Sequence, residues 1–154
     1  MNVCDFLLID APAGISRDGI VPLAVADDVI LIVNPELSSI VDALKTKILT
    51  EVVGGHVFGV IINRAGIDKS EVMTQKMEKV LGVRVLGTVP EDPNIRKAAS
   101  YKTPVVIKFP SSPASVAFRN LAGEIAGIPI EQRAGKSQER FIERFSKVLF
   151  RGKK

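Results

Sequence analysis

Four short apolar runs, Val3 to Asp10, Val29 to Val33, Val57 to Ile62 and Val83 to Val89, constrain the fold of this chain more than any other feature. They are β-rich and mostly without polar alternation. Strands that are apolar on both faces belong to parallel sheets covered by helices, so the runs read as four parallel strands. Between them apolar residues recur at helix spacing: Val41, Leu44, Ile48 and Val52, then Met73, Met77, Val80 and Leu81, and later Phe118, Leu121, Ala122 and Ile125. This alternation predicts a doubly wound, mostly parallel α/β sheet with right-handed crossovers, and leaves the strand order open.

The punctuation agrees with that division. Ser39 with Asp42, and Asp68 with Glu71, have capping-box spacing, and for Asp42 this is explanation enough without a catalytic role. Pro93 and Pro113 follow Asp92 and Ser112 as first-turn prolines follow N-caps, and Gly82 and Gly127 stand where helices end. Gly54-Gly55 reads as a turn. After Pro129 the composition turns polar, so residues 1–130 read as one folded domain, 131–137 as a linker and 138–154 as a separate helix.

Composition removes several function classes. With 154 residues and 46% hydrophobic content the chain can bury one core. Cys4 is the only cysteine and reads as a buried structural thiol; His56 is the only histidine and has no partners that would make a metal site. Met1 leads into an apolar stretch without a basic flank or a cleavage site, and nowhere do about 18 apolar residues run together, which predicts a chain neither secreted nor membrane-spanning. The net charge of +4 is unevenly placed: from Glu131 onward eight Lys/Arg face three Glu, so residues 1–130 carry 13 Lys/Arg against 14 Asp/Glu. The body is therefore a poor nucleic-acid surface.

Ligands of open α/β sheets bind beyond the carboxyl ends of the strands. There the runs end in Asp10-Ala11-Pro12-Ala13-Gly14, in Asn34-Pro35-Glu36, in Asn63-Arg64 and in Pro90-Glu91-Asp92-Pro93, all expected on one edge. Asp10 at a strand tip is placed as the aspartate that holds Mg²⁺, or a water on it, in P-loop NTPases, and Gly14 would let backbone approach a phosphate. Both residues suit a plain strand-to-helix turn equally well. Asn63 has the donor and acceptor that an adenine edge requires, and also suits a turn.

Taken in order, these segments resemble the MinD/ParA family of P-loop ATPases, particularly its membrane-associated MinD branch. Asp10 to Ile15 is similar to that family's Walker B and switch segment, and Asn34-Pro35-Glu36 with Ser38, Ser39 and Asp42 to its next strand end and helix start. Asn63-Arg64 and Pro90-Glu91-Asp92 resemble its adenine-binding elements. The resemblance implies ATP or ADP and Mg²⁺ as cofactors, with Asp10 and Gly14 on the catalytic side, Asp10 near the metal, and Asn63, Arg64, Pro90, Glu91 and Asp92 at the base. It runs from about Asp5 to Ile107 and resumes in the tail. The family opens with a strand and a glycine-rich, two-lysine loop for which these residues have no counterpart, since Met1 begins at the Walker B strand. That loop strand sits centrally in the family's sheet, so two strand edges are expected to be unpaired or forced together. Ala134-Gly135-Lys136-Ser137 imitates such a loop, but Ile130 stands where its first glycine belongs and no strand precedes it.

On a helical wheel Phe141, Ile142, Phe145, Val148 and Leu149 share one sector of about 120°. Arg140, Arg144, Lys147 and Arg151 flank it. The pattern suits a helix lying in the interface of an anionic bilayer; a helix packed on the sheet explains the apolar face but not the basic clustering. MinD-family members end in such a helix behind a linker. The resemblance therefore implies a cytoplasmic, peripherally membrane-associated ATPase switch that positions division or other cell-surface machinery, acting as a homodimer or paired with a full-length relative, and read by an unidentified regulator protein. Two alternatives stand beside it: a truncated, non-hydrolysing adaptor docked on a membrane or on a full-length relative, and a ParA-type DNA partition protein, against which the charge of the body speaks.

Overall fold

The computed structural model describes residues 4–12, 17–66 and 70–128. Its elements run α1 (Arg17–Val25), β1 (Val29–Val33), α2 (Leu37–Val52), β2 (Val57–Ala65), α3 (Ser70–Leu81), β3 (Val85–Pro90), α4 (Pro93–Ser100), α5 (Val105–Lys108) and α6 (Pro113–Ala126). The strands form a parallel sheet in the order β1-β2-β3. This is the α/β, parallel-sheet architecture expected from the apolar runs. Contacts divide the chain into two compact units, residues 1–92 and 93–154.

In the first unit, α2 and α3 join neighbouring strands in one direction across the sheet. Right-handed crossovers then put both helices on the same face, and the two pack against each other. The core between helices and sheet gathers Leu31, Val33, Val60, Ile62, Met77 and Leu81. Full burial of side chains of this size is worth about 1.5–3 kcal/mol each. The central strand β2 buries Val60, Ile61 and Ile62 in succession. Thr50 is buried on α2 at no hydrogen-bonding cost, because its Oγ1 donates to the Thr46 carbonyl at 2.8 Å.

Two glycines make the packing possible. A Cβ on Gly59 would stand 2.7 Å from Leu86 Cγ and 2.9 Å from the Arg84 carbonyl oxygen, so β3 can lie this close only to a residue without a side chain. A Cβ on Gly55 would meet the Leu23 carbonyl oxygen at 2.8 Å, as tight a fit. Gly54 before it has φ +82°, which confirms the turn.

In the second unit, α4 packs on α5 and α5 on α6. Ser112 caps α6 as expected, its Oγ accepting from Ser115 N at 3.3 Å with Pro113 in the first turn, and Gly127 closes the helix at φ 64°. Gly82 closes α3 in the same conformation, with φ +65°.

Three expectations are corrected. Val3 to Asp10 is not a strand over its described residues 4–10: β2 is paired on both sides, and neither β1 nor β3 takes the run up, so its side chains stay in solvent. Leu7 and Leu8 are 79% and 85% exposed. Cys4 is exposed with it rather than buried. The Ser39/Asp42 capping box does not form either, because Glu36 occupies the N-cap of α2 without a side-chain hydrogen bond. Asp42 instead pairs with Lys45 at 3.2 Å. The Asp68/Glu71 pair, the linker at 131–137 and the tail helix at 138–154 lie outside the described residues, or have side chains that do.

Candidate functional site

The register of the sheet brings the carboxyl ends of its strands level. Val33 pairs with Ile62, so the next residues, Asn34 and Asn63, are neighbours, and Asn63 Nδ2 donates to Asn34 Oδ1 at 3.4 Å. Asn34 is held from its other side as well: its backbone N–H donates to Ser39 Oγ at 3.0 Å in the first turn of α2. Ser39 thus fixes the exit of β1 rather than the cap of a helix. At 3.4 Å the amide contact is long and weak, and it aligns the two side chains more than it stabilises them.

Between β2 and β3 the register slips. Ile62 pairs with Thr88 and Ala65 with Pro90, so β2 uses one residue more than β3 over this stretch. The extra residue is accommodated at Arg64, whose φ of 55° lies in the left-handed region uncommon for anything but glycine. This bulge lies at the mouth of the sheet, where Arg64 Nε donates to Glu91 Oε2 at 2.7 Å and Glu91 N donates to the Ala65 carbonyl at 3.1 Å. The Glu91 hydrogen bond and then its charge raise the Arg64 pKa above the ordinary value, and Glu36 beyond β1 adds to the effect. All three strand exits therefore belong to one polar cluster.

Asn63 and Arg64 were expected past the end of their strand; they lie inside β2, which runs on to Ala65. Pro90 ends β3 half-buried, Glu91 is exposed, and Asp92 behind it is buried. Asp10 stands exposed in the unpaired segment, apart from this joined set, and Gly14 lies outside the described residues. So do Arg140, Phe141, Ile142, Arg144, Phe145, Lys147, Val148, Leu149 and Arg151. The sequence reading missed Ser39 as the brace of Asn34, and also the pairing of His56 Nδ1 with Asp28 Oδ1 at 2.7 Å on the surface.

The donor set suits an uncharged, planar ligand edge. An amide carries two N–H donors and one carbonyl acceptor; Asn63 directs one donor to Asn34, which leaves it the capacity for one of each toward a purine. Arg64 is a poor phosphate ligand, since Glu91 already holds its guanidinium. Among the described residues no three His, Cys, Asp or Glu side chains gather as a metal cage. A Mg²⁺ held by one carboxylate and substrate phosphates needs none.

A match to the ParA family, described as NUBPL iron-transfer P-loop NTPase, covers residues 2–126. This chain belongs to the ParA/MinD family of P-loop NTPases. An uncharacterized ATP-binding protein of Methanocaldococcus jannaschii is 42% identical to it over 149 residues, which are 97% of this chain and 56% of that protein. Among solved structures, the cell division ATPase MinD of Pyrococcus furiosus superposes with a TM-score of 0.72 at 32% identity, over 82% of this chain and 53% of the other. The septum site-determining protein MinD of Pyrococcus horikoshii, complexed with Mg-ADP, gives 0.71 at 32% identity, over 80% and 51%. The chain thus spans about half the length of the relatives it matches. In the ParA/MinD family, then, nucleotide and Mg²⁺ are documented in a structural neighbour, and septum-site determination in the names of homologues.

Proposed function

We propose that this chain forms the base-binding side of a MinD-like ATPase switch, and that the joined strand ends Asn34, Asn63, Arg64 and Glu91 with Asp92 take the adenine of ATP or ADP. The observation that carries this is the alignment of two amide side chains, braced by Ser39, beside a bulge whose one charged side chain is already paired. Charge neutralisation at that bulge favours a base over a phosphate there. Asp10 would hold Mg²⁺ through water and Gly14 would approach the γ-phosphate, as the family resemblance implies. Hydrolysis in such sites works by positioning and electrostatic stabilisation of the transferred phosphoryl group.

The basic tail places the switch on an anionic membrane surface, in the cytoplasm, as a homodimer or paired with a full-length relative, where a regulator protein reads its nucleotide state. The tail's Lys/Arg clustering and the septum-site names of homologues support this reading. No helix among the described residues is long and apolar enough to cross a membrane.

The test of the base site is an NMR titration of the labelled chain with adenosine, which needs no phosphate cradle. Shifts confined to Asn34, Asn63, Arg64 and Pro90 to Asp92 are expected, with weaker ones for guanosine. An adenosine response elsewhere, or none at saturating nucleoside, refutes the assignment.

A further inference from the structure

Taken unit by unit, the charge of this chain is strongly divided. Residues 1–92 carry eight Lys/Arg against thirteen Asp/Glu, whereas residues 93–130 carry five against one, and the tail continues with the same sign. Three of these lysines, Lys97, Lys102 and Lys108, are exposed and take no carboxylate partner among the described residues. They gather about Tyr101, between α4 and α5: Lys97 stands in the last turn of α4, Lys102 follows Tyr101 directly, and Lys108 Nζ lies 4.3 Å over the Tyr101 ring. Tyr101 is 61% exposed, and Ile107, two positions beyond the buried Val105 of α5, is 43% exposed.

Lys102 is held there at a conformational cost. Thr103 N donates to the Ala98 carbonyl at 3.1 Å and Lys102 N to the Ala99 carbonyl at 2.9 Å, the closing motif that puts a left-handed residue just past a helix. Gly82 and Gly127 fill the left-handed place after α3 and α6, but after α4 it falls to Lys102, with φ 51°. A positive charge near a helix C-terminus compensates the macrodipole, which accounts for Lys97. It does not account for a lysine where glycine would be unstrained, nor for the exposure of Tyr101 and Ile107.

We propose that the corner between α4 and α5 is a second lipid contact, on the folded body rather than the tail: Lys97, Lys102 and Lys108 meet the phosphates of anionic headgroups while Tyr101 and Ile107 enter the interface between them. The mixture is that of an interfacial surface, with apolar side chains to bury and lysines whose long stems lie along them. A nucleic-acid duplex would leave Ile107 without a role, and base stacking would find one face of Tyr101 already taken by Lys108. The tail belongs to the same unit and repeats the mixture in Phe141, Ile142 and Phe145 beside Arg140, Arg144 and Lys147. An anionic surface repels the acidic residues 1–92 and attracts the unit that follows, so the charge division also orients the molecule. The inference rests on the membrane reading of the tail and adds to it a second, linked contact, which raises affinity by effective concentration and fixes how the body stands on the bilayer.

The test is sedimentation of the full chain with phosphatidylcholine vesicles containing phosphatidylserine, beside its binding to a short DNA duplex. Lys97→Gln, Lys102→Gln and Lys108→Gln together should weaken vesicle binding by roughly 20-fold to 100-fold, since each lysine near the surface is worth roughly fivefold. Lys102→Gly separates a binding role from a structural one, because it removes a charge and relieves the left-handed strain at once. Its vesicle affinity should fall roughly fivefold while its melting temperature stays the same or rises. Phe145→Glu binding as the parent does would fell the tail reading alone. The contact proposed here is overturned if the lysine variants bind vesicles as the parent does, if they lose duplex binding while keeping vesicle binding, or if the parent chain itself does not sediment with these vesicles.

Discussion

Replacing Gly59 by alanine tests the register on which the strand-end site depends. The added methyl would meet Leu86 Cγ at 2.7 Å, Leu86 Cδ2 at 2.8 Å and the Arg84 carbonyl oxygen at 2.9 Å. Leu86 can rotate away, but Arg84 O is ladder backbone and accepts the amide of Val60 at 2.9 Å, so β3 itself must shift. Overpacking of this kind costs about 1–3 kcal/mol, and a backbone neighbour puts the expectation in the upper half, about 2–3 kcal/mol. For a chain of this size each kcal/mol moves the melting temperature by about 2–4 °C, which predicts a fall of about 4–12 °C. Urea and thermal unfolding followed by circular dichroism measure both quantities, with Gly66→Ala, where nothing lies within 4 Å, as the control. Because β3 moves relative to β2, the adenosine-induced shifts at Arg64 and Glu91 should also shrink. A Gly59→Ala protein within about 0.5 kcal/mol of the parent, the range of ordinary surface changes, would refute the close approach of β3 to β2.

Further predictions follow from the site and the tail. The chain alone should show no micromolar affinity for ATP in calorimetry with or without Mg²⁺, since loop amides and lysines are what neutralise the β- and γ-phosphates. Phe145→Glu, and deletion of residues 138–154, should abolish sedimentation with anionic vesicles, and high salt should weaken it, each Lys/Arg near the surface contributing about 1 kcal/mol. Arg64 has a raised pKa in the folded state, so the stability it adds is complete below its unfolded value and is lost only as pH rises through the folded one, far above neutrality. Parent and Arg64→Gln should therefore show parallel stability curves from pH 7 to pH 9 in urea titrations, and a divergence over that range would mean that another group titrates with the pair.

What the sequence made legible was what rests on periodicity and local stereochemistry. Val29 to Val33 forms β1 residue for residue, and Ser112, Pro113 and Gly127 bound α6 as read, because a cap needs only its own turn. What failed depends on partners distant in sequence. An apolar run such as Phe6 to Ile9 has the composition of a buried strand, yet becomes one only beside a second strand, and composition cannot supply the neighbour. The capping-box spacing of Ser39 and Asp42 carried a local meaning that a tertiary hydrogen bond displaced, since Ser39 Oγ serves Asn34 instead. The bulge at Arg64 had no signal at all: neither glycine nor asparagine marks the left-handed position, which is imposed by the one-residue mismatch between β2 and β3.

That mismatch also bears on which end of a nucleotide the described part of the sheet can serve. A regular β2–β3 ladder would carry Asn63 and Arg64 on in strand alternation, pointing to opposite faces. The left-handed turn at Arg64 breaks this alternation, allowing the guanidinium to close on Glu91 while Asn63 keeps its place beside Asn34. The consequence is a neutral amide edge next to a self-compensated ion pair, an environment in which a base loses little by desolvation and a polyphosphate gains little from charge. A glycine at position 64 would adopt the same φ without strain but would lose the Glu91 pair. Arg64→Gly should thus keep the fold while removing the Arg64–Glu91 pair from the mouth of the base site, and adenosine shifts at Pro90 to Asp92 should weaken although Asn63 is untouched. Unchanged shifts would show that the ion pair contributes nothing to the base edge and that the amides act alone.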